Sequence, residues 1–167
     1  PLCKGYLMQA STYPVIELRR YTLVDGAAPD FSRYFETWFP EAFQQLGALA
    51  LGHFVERGNP ARFTWLRAYA DMDARLAANT AFYDGPVWRE HKAAVNRWIV
   101  DSDDVLLLRP LYAGAAIPAL PAVDPVAEPH GAQGVAVAQL FQVADGQLAA
   151  CAAARRATGT RYGLHET

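Results

Sequence analysis

The chain has 167 residues, 52% hydrophobic, 12% aromatic and 19% charged, with 15 basic and 17 acidic side chains and a formal net charge of −2. That is the size of one ordinary domain, or of one domain and part of another. The composition excludes a disordered or collagen-like chain, and the balanced, well-mixed charge lacks the basic footprint of a nucleic-acid binder. No apolar run approaches the roughly 18 residues that a membrane-spanning helix needs. Cys3 and Cys151 are the only cysteines, so neither a disulfide framework nor a zinc-ligand spacing can be written, and a reducing, cytoplasmic setting is expected.

Residues 1–7 (PLCKGYL) have neither the pattern of a secretory signal nor that of an arginine-rich presequence. Met8 is a candidate initiator, and the fold is read from Pro14 onward. Val15 to Leu23 alternates, with Ile16, Leu18, Arg20 and Thr22 on one face and Val15, Glu17, Arg19, Tyr21 and Leu23 on the other, which is strand periodicity. Asp25-Gly26 ends this strand with turn chemistry. Phe31, Tyr34, Phe35, Trp38, Phe39, Ala42, Phe43 and Leu46 then recur at helical spacing and form an aromatic stripe on one helix face. Pro40 should kink that helix, and Gly47 is its stop.

Two strands follow, Leu49–Glu56 and Arg62–Tyr69, joined through Gly58-Asn59-Pro60. Asp71 caps a short helix over Asp71–Ala81. Asp84-Gly85-Pro86 opens another with proline in its first turn, carrying Trp88, His91, Val95 and Trp98 on one stripe. Asp101 to Asp104 reads as a polar loop and Val105–Arg109 as a buried strand. The order strand, helix, strand, strand, helix pair, strand is the α+β, ferredoxin-like plan β-α-β-β-α-β: a four-stranded antiparallel sheet with helices on one face, over residues 14–110. Residues 111–134, rich in proline and alanine, read as a linker. Residues 135–167 hold an expected strand (Val135–Val143) and helix (Gln147–Ala157). Asp145-Gly146 lies 120 residues after Asp25-Gly26, so this segment reads as a second, incomplete repeat, and truncation of a longer chain is the expectation.

Five stretches carry a resemblance to a known family: Ile16-Glu17-Leu18-Arg19 with Tyr21; Arg62-Phe63-Thr64-Trp65-Leu66-Arg67; Asp71-Met72-Asp73-Ala74-Arg75; Phe82-Tyr83-Asp84-Gly85-Pro86-Val87-Trp88; and Val100-Asp101-Ser102-Asp103-Asp104-Val105-Leu106-Leu107. In this order they resemble the NIPSNAP family over about residues 14–110. The resemblance implies a dimeric α/β-barrel, in which two ferredoxin-like sheets close face to face. It also implies that full-length members often resemble two such domains in tandem. Relatives in that superfamily include cofactor-independent oxygenases, haem-degrading enzymes, polyketide cyclases and proteins of no known reaction, so the fold does not assign the chemistry.

Glycine-rich phosphate loops, His-Glu-x-x-His and Gly-x-Ser-x-Gly are all absent from the sequence. His91 is the weak catalytic candidate, as a general base or, by fold analogy, a haem ligand; the plainer alternative is a buried histidine bonded to backbone or to Glu17. Glu17, Arg19 and Tyr21 share one strand face and Arg67 with Tyr69 another, with His53, Trp65 and Trp88 completing the candidate cavity set. With the aliphatic face (Ile16, Leu18) packed on the helices, these polar groups would point into the barrel. There they would either orient an anionic or phenolic ligand or form an ion pair that satisfies itself at the sheet–sheet interface. The acidic stretch Asp101 to Asp104 lacks the pattern of a calcium loop and reads as turn chemistry. Two functions stay open: a small-molecule-binding homodimer, whose enzymatic variant would be cofactor-free oxygenation or haem binding, and a non-catalytic assembly or adaptor module with a filled interior. No metal and no cofactor are expected.

Overall fold

Alternation in the first strand, a glycine turn and an aromatic helical stripe set the elements of the first third of the chain. In the computed structural model, which describes residues 13–112, 115, 117, 136–157 and 164–166, strand β1 (Val15–Leu23) leads through Asp25-Gly26 into helix α1 (Ala28–Gln45). Gly26 adopts φ 76°, a left-handed conformation that glycine enters without a Cβ penalty, and the Val24 carbonyl accepts from Ala27 N at 3.0 Å across the turn. Helix α1 has proline in its first turn and continues unbroken through Pro40. Strands β2 (Leu49–Val55) and β3 (Arg62–Tyr69) form a hairpin, and helices α2 (Met72–Tyr83) and α3 (Pro86–Asn96) follow. Asp71 caps α2, its Oδ1 accepting from Ala74 N at 2.7 Å.

Strand β4 (Ile99–Pro110) starts six residues earlier than the apolar run Val105–Arg109 indicates, and the acidic stretch lies inside it rather than in a loop. The reason is cross-strand pairing. Arg20 of β1 stands opposite Asp104 and Thr22 opposite Asp101; the register shift between them accommodates Ser102 and Asp103 as a bulge. Arg20 Nη1 holds Asp104 at 3.2 Å, so a charge that looked like punctuation is half of an ion pair.

The sheet order is β2-β3-β1-β4-β5, antiparallel throughout. Its first four strands form the ferredoxin-like sheet; β5 (Leu164–Glu166) adds three residues along the end of β4. Helix α4 (Leu148–Ala157) forms, preceded by a turn that repeats the first: Gly146 also has φ 76°, and Ala144 O accepts from Gln147 N at 3.0 Å. The expected strand over Val135–Val143 differs. Residues 136–143 join no strand and are exposed, because a strand exists only through pairing and among the described residues no strand pairs with them. Residue 135 and most of the 111–134 segment fall outside the described residues, as do residues 1–7.

The two faces of the sheet are used in the opposite sense to that expected. Odd-numbered positions of β1 and β3 (Tyr21, Leu23, Phe63, Trp65, Tyr69) pack under Phe31, Phe35, Phe39 and Phe43 of α1, Phe82 of α2 and Val95 of α3. The aliphatic even positions, Ile16, Leu18, Leu66, Ala68, Leu106 and Leu108, form a separate cluster on the side away from the helices. The physical reason is shape. A stripe of phenylalanines leaves gaps that edge-on rings fill, as where Phe31 meets Phe63 at 4.7 Å and 78°, whereas flat aliphatic rows suit another flat sheet.

Phe31, 1% exposed, contacts Tyr21, Phe35, Phe63 and Trp98. Phe31→Ala is expected to lower the unfolding free energy by about 3–5 kcal/mol in urea titration. Leu76→Ala, at a position 67% exposed, is expected to stay within about 0.5 kcal/mol.

Candidate functional site

A carboxylate alone in an apolar core is expensive, and Glu17 is 0% exposed beneath the helices. Three guanidiniums make its burial tolerable. Arg67 stands directly across from it on β3 and donates from Nε to Oε2 at 2.7 Å. Arg19, two positions along the same strand face, donates from Nη1 to Oε2 at 3.0 Å. Arg75, in the first turns of α2, reaches down to Oε1 at 2.6 Å. Burial by itself pushes the Glu17 carboxyl upward, but the attraction and hydrogen bonds of Arg67 and Arg19 outweigh it and hold the group below the usual carboxylate range.

The cluster continues into aromatic rings. Arg19 Nε donates to the Tyr21 hydroxyl at 3.1 Å, and its guanidinium lies 5.8 Å from the centre of the Trp65 ring. The Arg67 guanidinium lies 5.3 Å from Trp65, 5.4 Å from Phe43 and 5.7 Å from Tyr69, within cation–π range of all three. Burial of Arg19 disfavours its charge, yet Tyr21 and Glu17 more than compensate and raise its pKa. Burial raises the phenols of Tyr21 and Tyr69 above their ordinary value. Tyr69 donates to Asn79 Oδ1 at 2.7 Å. Two buried donors of this cluster, Arg67 Nη1 and Trp65 Nε1, have no hydrogen-bond partner among the described residues.

Beside this cluster lies a cavity of about 40 Å³ between the sheet and the helices, walled by Tyr21, Trp65, Phe43, Phe82, Tyr83 and Trp88 among others. It has room for about three waters. Five of the nine expected residues, Glu17, Arg19, Tyr21, Trp65 and Arg67, therefore form one connected group. Tyr69 sits at its edge through Arg67, and Trp88 closes the cavity from α3. None of them faces the open side of the sheet, because their odd positions lie under the helices. His53 pairs with Trp65 across the hairpin but stacks on Phe63 at 5.4 Å, and burial holds its pKa below the ordinary value.

His91 stands apart. It is 7% exposed, its ring stacks on Trp38 at 4.5 Å, and its Nδ1 is 2.6 Å from the Tyr34 hydroxyl; it lines neither cavity. That partner is a tyrosine of α1 rather than the backbone or Glu17. A shallower cleft of about 300 Å³ lies on the outer side of α1, lined by Asp30, Arg33, Tyr34, Thr37, Trp38 and Trp98. It is larger, but Asp30 and Arg33 already pair with each other there at 3.3 Å, and none of the three orphaned buried donors is on its wall. Sequence reasoning missed Arg75, Asn79 and Tyr83, all on α2. Arg75 and Tyr83 stand in stretches that resemble the family, but nothing in the spacing showed that α2 would lie over Glu17. Among the described residues no three metal-ligating side chains come together, and no helix is long and apolar enough to cross a membrane.

Glu17→Gln leaves three cations around a neutral group, and the expected loss of stability is about 3–5 kcal/mol, read from urea unfolding at neutral pH. Because the folded pKa is depressed, this carboxylate's contribution is complete above its unfolded pKa of about 4.3 and is lost as pH falls through the folded value. Chemical denaturation of the wild type should therefore show stability falling as the pH is lowered below about 4. A flat profile over that range would contradict a charge-paired Glu17.

A NIPSNAP family model matches residues 16–113. Among solved structures, an uncharacterised NIPSNAP-like domain protein from Burkholderia xenovorans superposes with a TM-score of 0.54 at 20% identity, covering 68% of this chain and 97% of that one. A NIPSNAP family protein of unknown function from Agrobacterium tumefaciens gives 0.53 at 20% identity over 59% of this chain and 88% of its own. A further NIPSNAP domain protein from Burkholderia xenovorans gives 0.51 at 18% identity over 66% and 99%. No curated protein matches the chain.

Proposed function

Since the chain belongs to the NIPSNAP family, whose structural relatives here carry no stated reaction, we propose that it is a cytoplasmic homodimer that binds a small aromatic molecule between sheet and helices. The observation that carries the reading is the aromatic-walled cavity lined by Tyr21, Trp65, Tyr83 and Trp88, with the guanidiniums of Arg19 and Arg67 held against Tyr21 and Trp65. Such a combination, apolar walls with a few convergent polar groups, is what small-molecule sites have in common. In this reading the ligand lies inside each protomer, between sheet and helices, and the other side of the sheet forms the dimer interface.

The interface is supported by the even-numbered face. Leu66, Leu18 and Leu106 stand in one row across β3, β1 and β4, and all three are only partly buried. Beyond them the same face turns polar, with Arg20 bridging Glu56 at 3.0 Å and Asp104 at 3.2 Å. An apolar centre with charges already paired at one end is suited to burial against a second sheet.

The geometry favours binding over acid–base catalysis. Among the described residues, the titratable groups in the cavity wall are the phenols of Tyr21 and Tyr83, and burial pushes Tyr21 further from neutrality. Haem fits poorly. The volume is far below that of a porphyrin, and His91 is stacked on Trp38 with Nδ1 engaged by Tyr34. A second reading, an assembly module with a filled interior, is favoured by the smallness of the cavity and by the tight packing of Tyr21, Trp65 and Tyr69 at 8%, 2% and 0% exposure.

Native mass spectrometry of the full 167-residue chain purified from cells separates the two. The binding reading expects a dimer with a reproducible excess mass; a dimer without one supports the assembly module. Leu106→Glu places a charge in the centre of the even face and is expected to shift sedimentation from dimer to monomer. Retention of the dimer would move the interface elsewhere.

A further inference from the structure

Three rings of the outer cleft serve neither reading of the inner cavity, and His91 accounts for where two of them stand. Trp38 is 45% exposed, yet its ring is held: one face stacks on His91 at 4.5 Å and 26°. Nδ1 of the same histidine is 2.6 Å from the Tyr34 hydroxyl, and the Tyr34 ring meets Trp98 edge-on at 5.3 Å and 68°. Trp98 is fixed in turn. Its carbonyl accepts from Val24 N at 2.8 Å, and its ring stands edge-on to Phe31 at 6.1 Å. One buried histidine of α3 thus sets two rings of α1, and the junction of α3 with β4 sets the third.

All three rings line one cleft of about 300 Å³, a size that small-molecule sites share. Because His91 covers one face of Trp38, the face left for the cleft is the other. Trp38 and Tyr34 are tilted 54° to each other with centres 6.5 Å apart, so they form a corner and not a stack. A single exposed tryptophan would need no explanation. Rings that converge on one cleft and are already immobilised are different, since a ligand there meets no cost of ordering them.

Side-chain charge does not decide what such a cleft takes. Its charged lining residues are Asp30 and Arg33, which pair at 3.3 Å and cancel. What remains is the quadrupole of the rings, negative over each face, which attracts a cation and repels an anion. Directed hydrogen bonds are scarce as well. The Thr37 hydroxyl already donates to the Arg33 carbonyl at 2.7 Å, and the Tyr34 hydroxyl is engaged by His91. A fully methylated ammonium needs no such bonds, because it carries its charge on an apolar surface.

We infer that this cleft binds a quaternary ammonium group, seated on the open face of Trp38 with Tyr34 and Trp98 as side walls. The cleft lies on the helical side, so the proposed dimer interface on the opposite face of the sheet leaves it open. The inference goes beyond the inner cavity and does not depend on it.

The test is isothermal titration calorimetry of the full chain with choline chloride and with neohexyl alcohol, the neutral carbon isostere of choline, at fixed ionic strength. Choline is expected to bind about tenfold tighter or more. Trp38→Leu keeps an apolar side chain and removes the ring; with its fold verified by circular dichroism, it should weaken choline about fivefold or more and leave the alcohol unchanged. Flotation with phosphatidylcholine vesicles separates two sources of the group. Co-flotation that free choline competes away assigns a lipid headgroup, and choline binding without co-flotation assigns a free small molecule. Equal affinity for choline and the alcohol in the wild type, or no binding of choline, overturns the inference whether or not the variant folds.

Discussion

The buried carboxylate of Glu17 is the constraint from which the rest of the interior follows. It cannot sit at 0% exposure without counter-charges, and the three arginines that answer it come from β1, β3 and α2. One residue thereby ties two central strands to the helical layer and fixes which face of the sheet lies under the helices. Had the sheet been turned over, Glu17, Arg19 and Arg67 would face another sheet, and Ile16 and Leu18 would lie under a stripe of phenylalanines that they cannot interlock.

That choice of face is the point at which sequence reasoning and structure part. The elements themselves were legible: β1 and β3 fall on the expected residues, α1 carries the expected aromatic stripe, and Asp71 caps α2. Period-2 alternation identifies two faces but does not say which is inside, and a rule that places aliphatics inward fails where a charged face balances itself. The extent of β4 was missed for a related reason. Asp101 and Asp104 lower strand propensity locally, yet Arg20 across the sheet supplies what makes Asp104 suitable for a strand. Residues 136–143 fail in the other direction: alternation is present, but a strand needs neighbours, and α4 forms without them because a helix bonds within itself.

The candidate site was legible as a set of residue types and illegible as a place. Glu17, Arg19, Tyr21, Trp65 and Arg67 do come together, since cross-strand register brings Glu17 to Arg67 and Arg19 to Trp65. Arg75, Asn79 and Tyr83 depend on how α2 lies over the sheet, which no local pattern reveals. His91, the most conspicuous single residue in the sequence, is held by α1 through Tyr34 and Trp38, so its stripe position reflects helix packing. The interior therefore holds a charge-paired polar group on the face of the sheet that lies under the helices.

The central claim is that the inner cavity, and not the wider cleft outside α1, receives the aromatic ligand. The chain has four tryptophans, with Trp65 and Trp88 on the inner cavity and Trp38 and Trp98 on the outer cleft. Their indole N–H resonances give four reporters in one nitrogen-correlated NMR spectrum. Titration with benzyl alcohol is predicted to move the Trp65 signal most, with Trp88 following and Trp38 and Trp98 unmoved. Shifts confined to Trp38 and Trp98 would contradict the account and place binding on the surface of α1.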